Sequence, residues 1–125
     1  MAPEKVLFWH GIGTVSLSHT DDKENFMCVI KGWKQFTIVS PFESHKVYMG
    51  QSMDSDQVPA NYSPVNFDEI DYELFPDMHD VTVHKVMIEE GDCLFLPAWW
   101  WHRVTSSPDE TIAVSHWYVT HSMLG

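Results

Sequence analysis

His19 and Asp21, separated only by Thr20, could share one metal ion. On a β-strand, residues i and i+2 point to the same face, so an imidazole and a carboxylate at this spacing can meet a single cation. A third ligand must then come from a distant strand. His102 is the candidate, closing the run Glu90-Gly91-Asp92-Cys93-Leu94-Phe95-Leu96-Pro97-Ala98-Trp99-Trp100-Trp101. Two histidines and one carboxylate on one face of an octahedron leave three positions open, which suits iron(II) taking a bidentate co-substrate and O₂. The His-x-Asp triplet alone carries little weight, because eight histidines and eighteen acids in 125 residues make one such triplet expected by chance. His10, His45, His79, His84 and His121 have no partner at ligand spacing and read as structural or exposed. His84 rivals His102 but lacks the surrounding run.

Lys34 is the second residue with chemical potential. It is flanked by Gly32, Trp33 and Phe36. Pointing inward it would need an anion, since a buried unpaired ammonium is very costly. Pointing outward it is an ordinary lysine on a turn. The residues alone leave both open.

The elements that must position these side chains read as strands almost throughout. Apolar or alternating runs cover Val6 to Trp9, Val15 to His19, Phe26 to Ile30, Phe36 to Val39, Val81 to Ile88, Cys93 to Leu96, Val104-Thr105 and Thr111 to Tyr118. Lys31-Gly32-Trp33-Lys34 predicts a hairpin turn or a sharp bend, and Glu90-Gly91-Asp92 a turn. Strand alternation would place Trp100 and His102 on one face, with Trp99 and Trp101 on the other, so that part of the tryptophan run is core and part screens the metal from water. Residues 42 to 80 differ, with Pro59, Pro64 and Pro76 among many Asp, Ser and Asn, which predicts a long excursion with short helical turns at most. The expectation is one all-β domain, a sandwich or barrel.

Composition narrows the partners. The formal charge of -11, from 18 acidic and 7 basic residues, argues against a nucleic-acid backbone and an anionic membrane surface. Between Asp54 and Asp80 basic residues are absent. That stretch is either a solvated acidic loop or a dock for a basic partner through Asp68, Glu69 and Asp71. Cys28 and Cys93 read as buried free thiols in a reducing compartment. The start of the chain lacks a signal-peptide pattern, and no apolar stretch approaches the ~20 residues of a membrane span. The expected location is intracellular, cytoplasmic or nuclear.

Taken together, the motifs resemble a family. His19-Thr20-Asp21-Asp22-Lys23-Glu24-Asn25-Phe26 followed by Lys31-Gly32-Trp33-Lys34-Gln35-Phe36 is similar to the His-x-Asp, Asn, Gly-x-Lys segment of the small jumonji hydroxylases. Those are cupin-like Jumonji C proteins related to asparaginyl and lysyl hydroxylases. Gly91-Asp92 to Pro97, then Trp100-Trp101-His102, resembles their Gly-Asp, Leu-Pro, Trp-Trp-His segment, and Ser63-Pro64-Val65-Asn66-Phe67 with Phe75-Pro76 fits the excursion between. The likeness runs from about Phe8 to Tyr118, with the motifs in order.

That resemblance implies a double-stranded β-helix, or cupin barrel, across residues 1–125, with 42–80 as an acidic excursion within it. It implies iron(II) on His19, Asp21 and His102, with 2-oxoglutarate and O₂ as co-substrates. Lys34 would pair with the distal carboxylate of 2-oxoglutarate, Ser16 would hydrogen-bond the same group, and Asn25 would face the co-substrate or hold the metal-side loop. The implied reaction is hydroxylation of a side chain on another protein. The alternative is an inactive metal-binding cupin domain serving as a protein-interaction module. Two departures stand out. Relatives end the last core strand with Asn-Phe-Trp, where this chain has Ser115-His116-Trp117, so Ser115 would supply one hydrogen bond near the co-substrate in place of an amide. Only eighteen residues precede His19, so the N-terminal covering elements of that family are expected to be missing. Phe8, Trp9 and Trp117 should then be partly exposed, favouring a homo-oligomer or low stability.

Overall fold

A computed structural model describes residues 3–52 and 58–119. Nine strands form in chain order: β1 (Lys5–Ile12), β2 (Ser18–His19), β3 (Lys23–Lys31), β4 (Trp33–Val39), β5 (Tyr62–Ser63), β6 (His84–Glu89), β7 (Cys93–Leu96), β8 (Trp101–Ser106) and β9 (Glu110–Val119). They make two antiparallel sheets, one ordered β1-β9-β3-β7 and the other β5-β2-β8-β4-β6. From β1 to β4 the chain alternates between the sheets, and it does so again from β6 to β9. That winding is the cupin-type double-stranded helix. Gly32, at φ +79°, turns the corner between β3 and β4, which lie in different sheets. The Lys31–Lys34 segment is therefore a bend and not a hairpin. A Cβ on Gly32 would sit 2.6 Å from Ser107 Oγ and 3.0 Å from the Glu110 carbonyl, so a larger residue would force the corner open.

Strand alternation sorts β4 cleanly. Phe36 and Ile38 face inward to join Met27, Val29, Ile88, Leu96 and Ala113 between the sheets. Val39 faces outward and packs with Trp101, Val47, Val65, Phe67, Phe75 and Met78 in a second core. The long excursion thus covers the outer face of the five-stranded sheet. Its short helical turns are present, as 3₁₀ helices at Pro41–Lys46 and Pro76–Asp80. Glu69, Asp71, Glu73, Asp77 and Asp80 are exposed as its composition suggests, but Val47, Val65, Phe67, Phe75 and Met78 are buried. Single apolar residues spaced through a polar stretch insert one at a time, a pattern that leaves no sustained run to read.

Asp68 fastens this cover. Its carboxylate accepts hydrogen bonds from Thr37 Oγ1, from Arg103 Nε at 2.9 Å and from Thr105 Oγ1 at 3.4 Å, all on the outer face of β4 and β8. Asp68 is therefore committed within the fold, unlike its reading as a free docking charge. Asp68→Ala should cost about 1–3 kcal/mol by leaving the Thr37 hydroxyl without its acceptor and Arg103 without its carboxylate. Urea denaturation would show it, with faster amide exchange across Val65 to Met78. The exposed Glu73→Ala should shift stability by less than about 0.5 kcal/mol.

Cys28 and Cys93 are bonded to each other, with Cα atoms 4.0 Å apart. This corrects the reading of two buried free thiols. The residues stand directly opposite on β3 and β7, and Cys93 is exposed. Cysteine usage then no longer argues for a reducing compartment. The Trp99–Trp101 reading also changes. Trp99 lies before β8 at φ +70° and is exposed, so strand alternation begins only at Trp101. Among the described residues no helix is long and apolar enough to cross a membrane. Asp54 and His121, which figured in the sequence reading, lie outside the described residues.

Candidate metal centre

The centre is assembled on two neighbouring strands of one sheet, β2 and β8, and on the turn that follows β2. His19 ends β2 and stands opposite His102 of β8, so their imidazoles lie side by side with ring centroids 4.2 Å apart. Asp21 follows two residues later and turns its carboxylate between them. Its Oδ2 is 3.6 Å from His19 Nε2 and 3.3 Å from His102 Nε2. One ligand atom from each of the three lies within 4.8 Å of the others, and this is the triad the spacing pointed to.

The imidazoles are held in one tautomer by their own strands. His19 Nδ1 donates to the Leu17 carbonyl at 2.7 Å, and His102 Nδ1 donates to the Trp100 carbonyl at 3.0 Å. Each Nδ1–H is therefore spoken for, and each Nε2 is left facing Asp21. That is how ligating histidines are usually oriented. The Asp21 loop is pinned from both sides. Trp99 N–H donates to the Asp21 carbonyl at 2.9 Å, and Asn61 bonds Thr20 twice, through its carbonyl at 2.9 Å and its Nδ2 at 3.0 Å.

Electrostatics fits a cation at this point. Burial alone would raise the Asp21 pKa, but hydrogen bonds and charge from His102 and His19 outweigh it and hold the carboxyl well below the usual carboxylate range. Burial would likewise lower His19, yet the Asp21 hydrogen bond, the Leu17 carbonyl and the Asp21 charge together raise it. A metal ion would compete with protons for the same Nε2 atoms, so its affinity should fall as pH is lowered. Two neutral Nε2 atoms and one carboxylate converging from one side match the donor set of a facial triad for a divalent transition metal.

A cavity of about 350 Å³ adjoins these ligands. Lys34 lines it and is only 7% exposed. Its Nζ donates to Ser106 Oγ at 2.7 Å, and Thr14 Oγ1 donates to the same oxygen at 3.1 Å. Burial pulls the Lys34 pKa below its ordinary value. No carboxylate among the described residues pairs with it. Of the two orientations open to Lys34, the structure shows the inward one.

The other sequence candidates divide. Asn25 lines the cavity, 7% exposed, with no partner for its Oδ1. Ser16 lines it too, but its Oγ accepts from Val104 N–H at 2.9 Å and donates to the Leu17 carbonyl at 3.1 Å, which commits the hydroxyl to backbone. Ser115 is fully buried outside the cavity lining, and its Oγ accepts from Trp9 Nε1 at 3.0 Å. The hydroxyls near Lys34 come instead from Ser106 and Thr14. Sequence reasoning missed both, because Ser106 meets Lys34 only through the β4–β8 register. His84 is exposed on β6, His10 pairs with Glu110 and His79 stacks on Tyr72, so none of them approaches the triad.

Comparison with known proteins agrees with this architecture. A hydroquinone 1,2-dioxygenase structure from Sphingomonas sp. TTNP3, with 4-hydroxybenzoate bound, superposes with a TM-score of 0.56 over 90% of this chain and 57% of that one. At 12% identity it speaks for the fold alone. Jumonji C domain-containing protein 5 of Drosophila melanogaster is 32% identical over 111 residues, covering 88% of this chain and 26% of its own length. Lysine-specific demethylase 8 of Xenopus tropicalis is 32% identical over the same share of this chain and 24% of its own. The chain thus spans about a quarter of the length of these relatives. The cupin-like domain model matches residues 1–123. With that match over nearly its whole length, two wound sheets and Jumonji C relatives, the chain belongs to the cupin-like domain family.

Proposed function

We propose that this protein is an iron(II)- and 2-oxoglutarate-dependent oxygenase that hydroxylates a side chain on another protein. The observation that carries the reading is the buried Lys34 ammonium, without a counter-ion, in the same cavity as a His-Asp-His triad. A binding barrel that only holds a metal has no use for such a charge, which is costly until an anion neutralises it. A dicarboxylate satisfies both features, one end on the metal and the other on Lys34.

His19, Asp21 and His102 would hold iron(II), which when bound supplies the O₂ activation that protein side chains cannot. Lys34, with Ser106 and Thr14, would bind the far carboxylate by charge and hydrogen bonds. Asn25 would offer its amide to the co-substrate from the opposite sheet. Phe36, Met27 and Val104 line the cavity with apolar surface, which excludes water from the reacting groups. The chain's acidity, outside this cavity, favours a basic protein substrate over a nucleic acid.

Succinate release from 2-oxoglutarate tests the proposal. The chain should release succinate only with iron(II), and His19→Ala should abolish release. Formaldehyde appearing with succinate would mark an N-methyl group as the site attacked and replace hydroxylation with demethylation. Metal binding without succinate release, at any 2-oxoglutarate concentration and with peptide substrates present, would leave an interaction module.

A further inference from the structure

The outer face of the β1-β9-β3-β7 sheet is largely apolar, with His10, Glu24 and His116 among its rows, and no other described element covers it. Antiparallel register fixes which side chains share it: Phe8 stands opposite Val114, Val114 opposite Cys28, and Cys28 opposite Cys93. Facing pairs project to one side, so Val6, Phe8, Ile12, Phe26, Ile30 and Phe95 all point away from the core. These six are between 40% and 71% exposed, while their strand neighbours Met27, Val29, Leu96 and Ala113 are buried. Scattered exposed apolar residues are ordinary, but a patch continuous across four strands marks an interaction surface. The other sheet shows the contrast, because its outer face is covered by the excursion.

The charges framing this face cancel among themselves. At one end Lys31 Nζ and His10 Nε2 both reach Glu110, at 2.7 and 2.8 Å. At the other Lys23 Nζ meets Glu4 at 3.2 Å. Little charge is left for a nucleic acid or a basic tail to complement. The face selects an occupant that is itself apolar and neutral, and a second copy of this chain supplies one.

The area agrees. Six side chains at this exposure present on the order of 600 Å² of apolar surface, and the intervening Ile112, Val114 and Tyr118 bring the face near the ~800 Å² per partner of a stable interface. Two twisted sheets pack face to face at ~10 Å with interdigitated rows, which an isologous pair of identical faces can do. The Cys28–Cys93 bond sits within the face and ties the edge strand β7 to β3, keeping the surface in one piece. We propose that two copies of the chain associate through this sheet face. Each copy carries a formal charge of -11, so repulsion opposes the dimer and added salt strengthens it.

Sedimentation velocity of the full chain over about a hundredfold range of concentration is the test. A monomer–dimer equilibrium is expected, tightening as sodium chloride is raised. Phe8→Lys and Phe95→Lys should each weaken it by about tenfold or more. Phe42→Lys, at a residue 87% exposed but off this face, should leave it unchanged. Ile12→Lys, at the last position of β1, gives the same reading where the fold asks least of the side chain. A chain that stays monomeric throughout overturns the proposal, as does a dimer insensitive to both Phe8→Lys and Ile12→Lys. Co-flotation of a monomeric chain with neutral phosphatidylcholine vesicles would identify lipid as the occupant and overturn it equally.

Discussion

His102→Ala should weaken metal binding by about 100-fold or more, and with it end iron-dependent succinate release. Loss of outer-sphere partners alone costs 10–100-fold in metal affinity, and a direct ligand contributes more. With Ala at 102, one imidazole and one carboxylate remain, too few to hold a labile divalent ion against water. Titration with cobalt(II), followed by its visible absorption, reads this without any turnover. The substitution also opens a small cavity where a 4% exposed ring was packed, so His102→Gln serves as the volume-matched control. Both variants should fold, since Phe36, Ile88 and Ala113 form the inter-sheet core without His102. Wild-type cobalt affinity in His102→Ala would remove His102 from the centre and leave the site without its third ligand.

Lys34→Met should lower the affinity for 2-oxoglutarate by about 100-fold or more, the scale of removing a buried charge partner. Metal affinity should change by less than about threefold, because Lys34 touches none of the three ligands. The same substitution should stabilise the co-substrate-free protein by about 1–3 kcal/mol, since an apolar chain of similar length replaces an ammonium held without a counter-ion. A pH signature accompanies it. Burial lowers the Lys34 pKa in the folded state below the ordinary 10.5, so over that window the unfolded chain binds the extra proton. Wild-type stability should therefore rise as pH climbs toward 10.5, and Lys34→Met should lose that rise. Thermal melts across this range, with and without 2-oxoglutarate, check both statements. Unchanged 2-oxoglutarate affinity in Lys34→Met would break the link between the buried charge and the co-substrate.

The sequence by itself determined what is local. The i, i+2 spacing of His19 and Asp21 needed only that they lie in extended backbone. The strand periods at Phe26 to Ile30 and Phe36 to Val39 follow from apolar residues set by the pleat. Gly32 announced a bend because only glycine tolerates that backbone freely. The helical turns near Pro41 and Pro76 follow from proline at the first position of each.

What the tertiary structure decided is which strand lies beside which, and no local pattern carries that. His102 stands opposite His19, 83 residues away in the chain, because β2 and β8 are neighbours in one sheet. The β4–β8 register places Ser106 on Lys34, and the β1–β9 pairing brings Ser115 onto Trp9, so the hydroxyl beside the buried lysine comes from a residue with no motif of its own. Cys28 and Cys93 look like two separate buried thiols until β3 and β7 pair and set them face to face. Asp68 reads as surface charge until the excursion folds over β4 and β8, where three donors await it. Each of these pairings joins segments that meet only after long loops close, and loop closure is governed by the stability of the whole sheet and not by the residues at either end.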